Sequence, residues 1–249
     1  MILICNADDF GHSKGVNLGI VEAYQNGIVR STTIMAGMPG FDHAVNLAKE
    51  NQGLKIGVHL TLSAGKTVGG IYSTISDREG NFLKLAEVER RAYAGQLDLA
   101  EVEREYEAQI QKVTETGIQF DHFDSHHHTH ELPGVIDVFL KLAKKYDVAV
   151  RVHDKGILTD EFAGIKSTNN FIYTFYGEQA TVEELKRICQ AHSEDTVELM
   201  CHPAYLDVAL SRSSSYSVNR TVELYVLTSD EVKAYVEENR IKLSSFSDL

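Results

Sequence analysis

Short β-branched runs alternate with helical patterns along the whole of this chain, and that alternation narrows the fold more than any other feature. Strands joined through helices pair in parallel, because each crossover returns the chain to the same end of the sheet. The runs predict strands near residues 1–7, 31–36, 55–62, 119–125, 148–153, 171–176, 196–201 and 241–246. Helical periodicity predicts helices near 14–26, 41–51, 86–94, 99–116, 134–146, 181–191 and 229–239. Gly27 suits the left-handed position that ends the first helix, while Thr181 with Glu184 and Thr228 with Glu231 have capping-box spacing. Between Ser63 and Leu85 the periodicity fades into Gly- and Ser-containing sequence, which predicts a loop excursion over the site around 63–85 rather than a linker. A chain of 249 residues with 43% hydrophobic content can bury one large core, so one domain spanning 1–249 is expected.

A formal charge of −12 argues against nucleic acid, which needs a basic stripe that this sequence lacks. Cys5, Cys189 and Cys201 are odd in number and widely spaced, which suits packing in a reducing compartment better than a disulfide framework. The apolar opening Met1-Ile2-Leu3-Ile4-Cys5 has no basic flank and soon reaches Asp8 and Asp9, unlike a signal peptide. With no run of about 18 apolar residues, the expectation is a cytoplasmic protein without a membrane partner.

Polar side chains recur where these strands end. The first strand runs into Asn6-Ala7-Asp8-Asp9-Phe10-Gly11; the third carries His59 opposite aliphatics; the fifth carries Arg151; the seventh ends Met200-Cys201-His202-Pro203. The fourth runs into His122-Phe123-Asp124-Ser125-His126-His127-His128-Thr129-His130, five of the eleven histidines within nine residues. If extended, it puts His122, Asp124, His126, His128 and His130 on one face. Neutral imidazole is the commonest protein ligand for a divalent transition metal, and a neighbouring carboxylate can bind the ion or orient an imidazole. Each residue has an ordinary alternative: a histidine-rich surface loop, a hydrogen-bonded core histidine at His59, a salt bridge at Arg151, a strand cap at His202. Recurrence at one end of the sheet favours a site, because the carboxyl ends of barrel strands meet at one rim.

On a regular strand Asp8 and Asp9 point to opposite sides, so only one meets a cation unless the chain turns there. Among His126, His128 and His130, a turn after Ser125 would select His126; the others would orient ligands or touch substrate. His122 reads as buried and hydrogen-bonded. Asp9-Phe10-Gly11 repeats a kinase triplet without a glycine-rich loop before it, and the serines near residues 211–215 lack a G-x-S-x-G elbow. That serine run reads as a mobile loop, beside which Tyr205 and Tyr216 could stack on a sugar.

Asn6–Gly11, Gly57-Val58-His59-Leu60, His122–His130, Phe175-Tyr176-Gly177-Glu178 and Met200–Pro203 resemble the successive motifs of the YdjC-like carbohydrate deacetylases, with Leu227-Thr228-Ser229 in keeping. The resemblance runs from the first strand to the last. It implies an α/β fold, a single-domain distorted (β/α) barrel of about seven to eight mostly parallel strands. It also implies magnesium as the divalent metal, a homodimer, and Asp9, His59 and His126 as metal ligands by motif position. Asp124, His128 and His130 remain orienting groups or substrate contacts. Two imidazoles and a carboxylate also suit zinc or another transition metal.

The chemistry agrees. Hydrolysing an acetamide needs a nucleophile, an oxyanion stabiliser and a proton for the leaving amine, and a cation that activates water and polarises the carbonyl helps with the first two. Asp8 is the candidate base, His202 the proton donor, and Arg151 either holds Asp8 ionised or binds the oxyanion. The expected substrate is an acetylated sugar, chitooligosaccharides foremost. A metal-dependent hydrolase of another amide or phosphodiester bond is the alternative within enzymes. A non-catalytic metal-binding protein would explain the histidines but not Asp8, Arg151 and His202.

Overall fold

The computed structural model describes residues Met1–Leu249. Its central strand, β1 (Ile2–Phe10), is buried almost throughout, as an apolar strand must be when helices cover one face and other strands curl across the other. Parallel to it lie β2 (Ser31–Ile34), β3 (Lys55–Leu60), β4 (Phe120–Ser125) and β5 (Ala149–Val150) on one side, with β6 (Asn170–Ile172) and β7 (Thr196–Cys201) on the other. The order is β5-β4-β3-β2-β1-β7-β6, and β8 (Lys242–Leu243) pairs with the start of β1. These strands form a curled half-barrel. Its edges, β5 and β6, do not pair; the Val150 amide instead donates to the Lys166 carbonyl at 2.9 Å.

Around the sheet run α1 (Lys14–Gln25), α2 (Phe41–Glu50), α3 (Leu85–Tyr93), α4 (Leu99–Glu115), α5 (Val135–Tyr146), α6 (Val182–Ala191), α7 (Val208–Ser213), α8 (Asn219–Thr228) and α9 (Asp230–Glu238). None is long and apolar enough to cross a membrane. All three cysteines are free and buried.

The structure departs from the sequence reading at several points. β5, β6 and β8 are shorter than their apolar runs, because each leans on a single neighbour whose ladder soon ends. Arg151 consequently lies beyond its strand. α7 and α8 were not foreseen, and the serine run is partly helical, with Ser211 to Ser213 closing α7. Thr181 caps α6 as expected, accepting the Glu184 amide at 3.1 Å. At α9 the cap is Ser229, accepting from the Val232 amide, because Thr228 belongs to α8 and donates its hydroxyl to Leu224. Gly27 is not left-handed; α1 ends at Asn26. A Cβ at Gly27 would stand 2.4 Å from the Leu227 carbonyl, so this glycine admits the end of α8.

The excursion between β3 and α3 is tied down by buried acids on α4. Glu105 accepts the amides of Val68 and Gly69, and Glu101 accepts those of Ser73 and Thr74 along with both hydroxyls. Glu105→Ala should cost about 1–3 kcal/mol, the penalty for stranding buried donors. Hydrogen exchange should then quicken at Val68 and Gly69 but not along β1; unchanged protection at those amides would show that other contacts hold the excursion.

Candidate active site

The end of β1 is bent. Its register with β2 slips between Ala7 and Phe10, and Asp9 adopts a left-handed φ of 73°, a conformation that asparagine and aspartate tolerate better than most residues. The next residue but one, Gly11, has φ 100°, and its amide is fastened to the buried Asn17 side chain at 2.6 Å. The bend lets Asp8 and Asp9 both line one cavity, where a straight strand would have sent them apart.

The histidine segment is also not extended. β4 stops at Ser125, whose hydroxyl accepts the His130 amide at 2.9 Å, and residues His126–Glu131 wind into a tight 3-10 turn. His127 and His128 take left-handed φ angles, so the alternation of faces is lost. His126, His128 and His130 therefore diverge. His126 faces Asp9; His128 lies on the cavity wall against His153 and Phe171; His130 is fully buried, bonded to Ser125 Oγ at 2.6 Å and the Arg151 carbonyl at 3.1 Å. His122 lies outside the cavity, bonded to Asp121 and stacked on Phe246.

One oxygen of Asp9 gathers the imidazoles. Oδ1 lies 3.4 Å from His59 Nε2 and 2.9 Å from His126 Nδ1, yet it is buried and receives no hydrogen bond of acceptable geometry. Ligand atoms of Asp9, His59 and His126 all lie within 4.8 Å of one another. A second group, Asp8, His59 and Asp124, is as close, but Arg151 already contacts both of its carboxylates. The donor set at Asp9 fits a divalent cation: one orphaned carboxylate oxygen and two imidazole nitrogens.

Behind the imidazole of His59 stands Asp124, accepting at Nδ1 over 2.7 Å and in turn held by Thr33 and Arg151. A carboxylate in that position fixes the ring and raises its basicity. Burial alone would lower the His59 pKa; Asp124, with Asp9 and Asp8 beyond it, instead pushes it up to about 10. Burial would raise the Asp9 carboxyl, but Arg220 and His126 hold it well below the usual range.

Arg151 is fully buried, and each of its three nitrogens donates a hydrogen bond. Nη1 and Nη2 grip Asp8 at 2.7 Å each, Nε and Nη2 reach Glu198, and Nη1 reaches Asp124 at 3.0 Å. Of the two roles expected for it, this geometry favours the first: its fork grips Asp8, and it does not line the cavity.

His202 follows β7, its Nε2 4.0 Å from Asp8 Oδ2. The sequence reading missed what stands behind it. Glu223 of α8, fully buried, accepts the His202 amide at 2.5 Å and the Tyr216 hydroxyl, while Tyr216 stacks on Tyr176 with centroids 3.8 Å apart. Arg220, also on α8, donates to Asp9 Oδ2 at 2.6 Å. His202, Tyr176, Tyr216 and Arg220 line a cavity of about 1150 Å³ that also takes in Ser63, Lys66 and Phe82 of the excursion. Tyr205 is half-exposed and not part of it.

The curled parallel half-barrel is a fold shared with solved carbohydrate esterases. A family 4 carbohydrate esterase from Streptomyces lividans, solved with acetate, superposes with a TM-score of 0.53 over 97% of this chain and 90% of its own, at 11% identity, a likeness of fold alone. The chain belongs to the YdjC-like protein family, whose model matches residues 2–238. Proteins named carbohydrate deacetylase in Brevibacillus brevis and Clostridium beijerinckii are 43% and 41% identical to it, with both chains covered completely. A candidate cellobiose-phosphate cleavage protein from Enterococcus faecalis V583 has a TM-score of 0.87 at 33% identity, covering 99% of this chain and 97% of that one.

Proposed function

We propose that this carbohydrate deacetylase is a metal-dependent hydrolase that removes N-acetyl groups from sugars, chitooligosaccharides in particular. The observation that carries this reading is the buried, donorless Oδ1 of Asp9 facing two imidazole nitrogens. Asp9, His59 and His126 would hold the cation. When bound there, a divalent ion supplies Lewis acidity, lowering the pKa of water and polarising an acyl oxygen. Magnesium is implied by the family resemblance, and the nitrogen-rich donor set suits zinc or another transition ion equally.

The chain's own residues divide the remaining work. Asp8, held in place by the Arg151 fork, takes a proton from water. His202 gives one to the departing amine from Nε2, its backbone pinned by Glu223. Asp124 orients His59, and His128 lines the substrate side of the cavity. The excursion held by Glu101 and Glu105 screens the cavity from bulk water. A non-catalytic metal protein has no use for the Asp8 and His202 pair. The same cavity carries Lys66, Lys84 and Arg212 in a chain of net charge −12, so an acetylated sugar bearing a phosphate is included in the proposal. The homodimer implied by the resemblance, and the cytoplasmic setting expected from the cysteine usage, belong to it as well.

Metal-loaded protein incubated with chitobiose, chitotriose and acetylated monosaccharides, with and without a phosphate, should release acetate and amine in equal amounts. Chelation should abolish release and added metal restore it. A protein with confirmed metal that frees no acetate from any of them would refute the reading. Because His59 in the metal-free site stays protonated to about pH 10, cation binding must displace that proton. Affinity should therefore rise with pH, and titration calorimetry in buffers of different ionisation heat should register proton release; binding heats that do not depend on the buffer would mean that His59 is already neutral before the cation binds.

A further inference from the structure

Arg220 is almost wholly buried and bonded through Nη2 to Asp9 Oδ2 at 2.6 Å and through Nε to the Tyr216 carbonyl at 2.8 Å. Its Nη1 is buried and has no hydrogen-bond partner, although the residue lines the cavity beside Asp9, His59 and His126. An unpaired guanidinium N–H in a buried site is unfavourable, so this donor is open to an oxygen entering the cavity, from water or from substrate. Nη1 and Nη2 share one carbon, which places the free donor next to the carboxylate that faces both imidazoles. Arg151 is not placed for this: its hydrogen bonds go to Asp8 and Glu198, and it does not line the cavity.

We propose that Arg220 Nη1 is a catalytic donor to the acyl oxygen of the substrate. This rests on the deacetylase reading. As a water oxygen bonds to the acyl carbon and its proton passes to Asp8, the carbonyl π pair moves onto the acyl oxygen, and the Nη1–H donates to the charge that builds there. Return of that pair breaks the C–N bond, the leaving nitrogen takes a proton from His202, and the acetic acid so formed loses its hydroxyl proton to solvent, leaving acetate with one oxygen at Nη1. Acetate is thus a probe of the donor that does not depend on turnover.

Arg220→Lys keeps a cation beside Asp9 but cannot present the second nitrogen of the fork. The variant should retain its metal and fold, with kcat lower by about 10²–10³ and KM little changed, as for loss of one oxyanion donor. Acetate should inhibit or bind at least about tenfold more weakly, the loss expected when a charged hydrogen bond is removed. In Arg220→Ala, added guanidinium should restore part of the turnover. Wild-type kcat in Arg220→Lys, a loss that follows metal content, or acetate affinity equal to wild type would each overturn the assignment. Should the wild-type protein release no acetate from any sugar while still binding acetate in an Arg220-dependent way, deacetylation is the reading that fails and the Arg220 donor stands.

Discussion

Arg151→Met is expected to destabilise the fold by about 3–5 kcal/mol, the cost of removing one partner from a buried ion cluster. Arg151 is the only arginine or lysine in contact with Asp8 and Glu198, and it also touches Asp124; all four side chains are nearly or fully inaccessible. Methionine fills the stem and can still pack on Phe171, over whose ring the guanidinium lies at 4.7 Å, so the loss measured is one of charge more than of volume. The effect should depend on pH in a defined direction. In the wild-type protein burial pushes Asp124 up, but His59 and Arg151 outweigh it and hold the carboxyl below its usual value. An acid lowered in this way contributes stability that is present above its unfolded pKa of about 3.9 and is lost as pH falls. Glu198 already leans the other way, raised by burial against the pull of Arg151. Without the guanidinium these carboxyls move up, and an acid raised by folding loses stability as pH climbs past its unfolded value of about 4. The difference between wild type and variant should therefore be widest near neutrality and narrow towards pH ~4 to 5. Urea melts across that interval measure it. A gap that stays constant with pH would mean that the carboxylates are compensated by groups other than Arg151.

Why the arginine on the strand was readable and the one on the helix was not is a matter of pattern. Alternation of β-branched runs with helical periodicity exposed the parallel sheet, and within it a charge such as Arg151 among valines is conspicuous because strands buried on both faces are otherwise apolar. Asp8, Asp9, His59 and His202 stand out for the same reason, each at the end of a run. α8 gave no such signal. Its Asn219–Thr228 segment mixes β-branched residues with Arg220 and Glu223, its N-cap residue Val218 makes no side-chain cap, and its buried side includes those two charged residues. A helix whose inward face is polar erases the amphipathic stripe by which helices are recognised. What hid α8 is what makes it useful, since the polar inward face is aimed at Asp9 and His202. The histidine segment failed differently. Period-two alternation holds only while the backbone stays extended, and nothing in a run of histidines announces two left-handed residues; Ser125, a residue suited to capping a turn, was the one local signal. Register between strands distant in sequence, such as β1 beside β7, rests on long-range packing and had no local mark.

Asp8→Asn and His59→Ala should separate catalysis from cation binding. Asp8 is not one of the three residues gathered at the orphaned oxygen; its own oxygens are gripped by Arg151. Asparagine preserves its shape and can accept from one Nη but cannot take up a proton, so metal content should remain near wild type while kcat falls by about 10²–10⁴, the range for loss of general acid or base assistance. His59 lies between Asp9 and Asp124, with a nitrogen towards each. Truncation to alanine removes a ligand and leaves Asp124 without the imidazole it orients, so metal and activity should fall together, and Asp124, bonded still to Thr33 and Arg151, should keep the strand ends in place. Metal analysis by mass spectrometry on the purified variants, beside turnover at saturating substrate, distinguishes the two. Equal metal loss in both would mean that Asp8 rather than Asp9 supplies the carboxylate, moving the cation into the group of Asp8, His59 and Asp124 and displacing Arg151 from it. Full activity in Asp8→Asn would place the base elsewhere, with His202, 4.0 Å from the same carboxylate, the group left to take the proton.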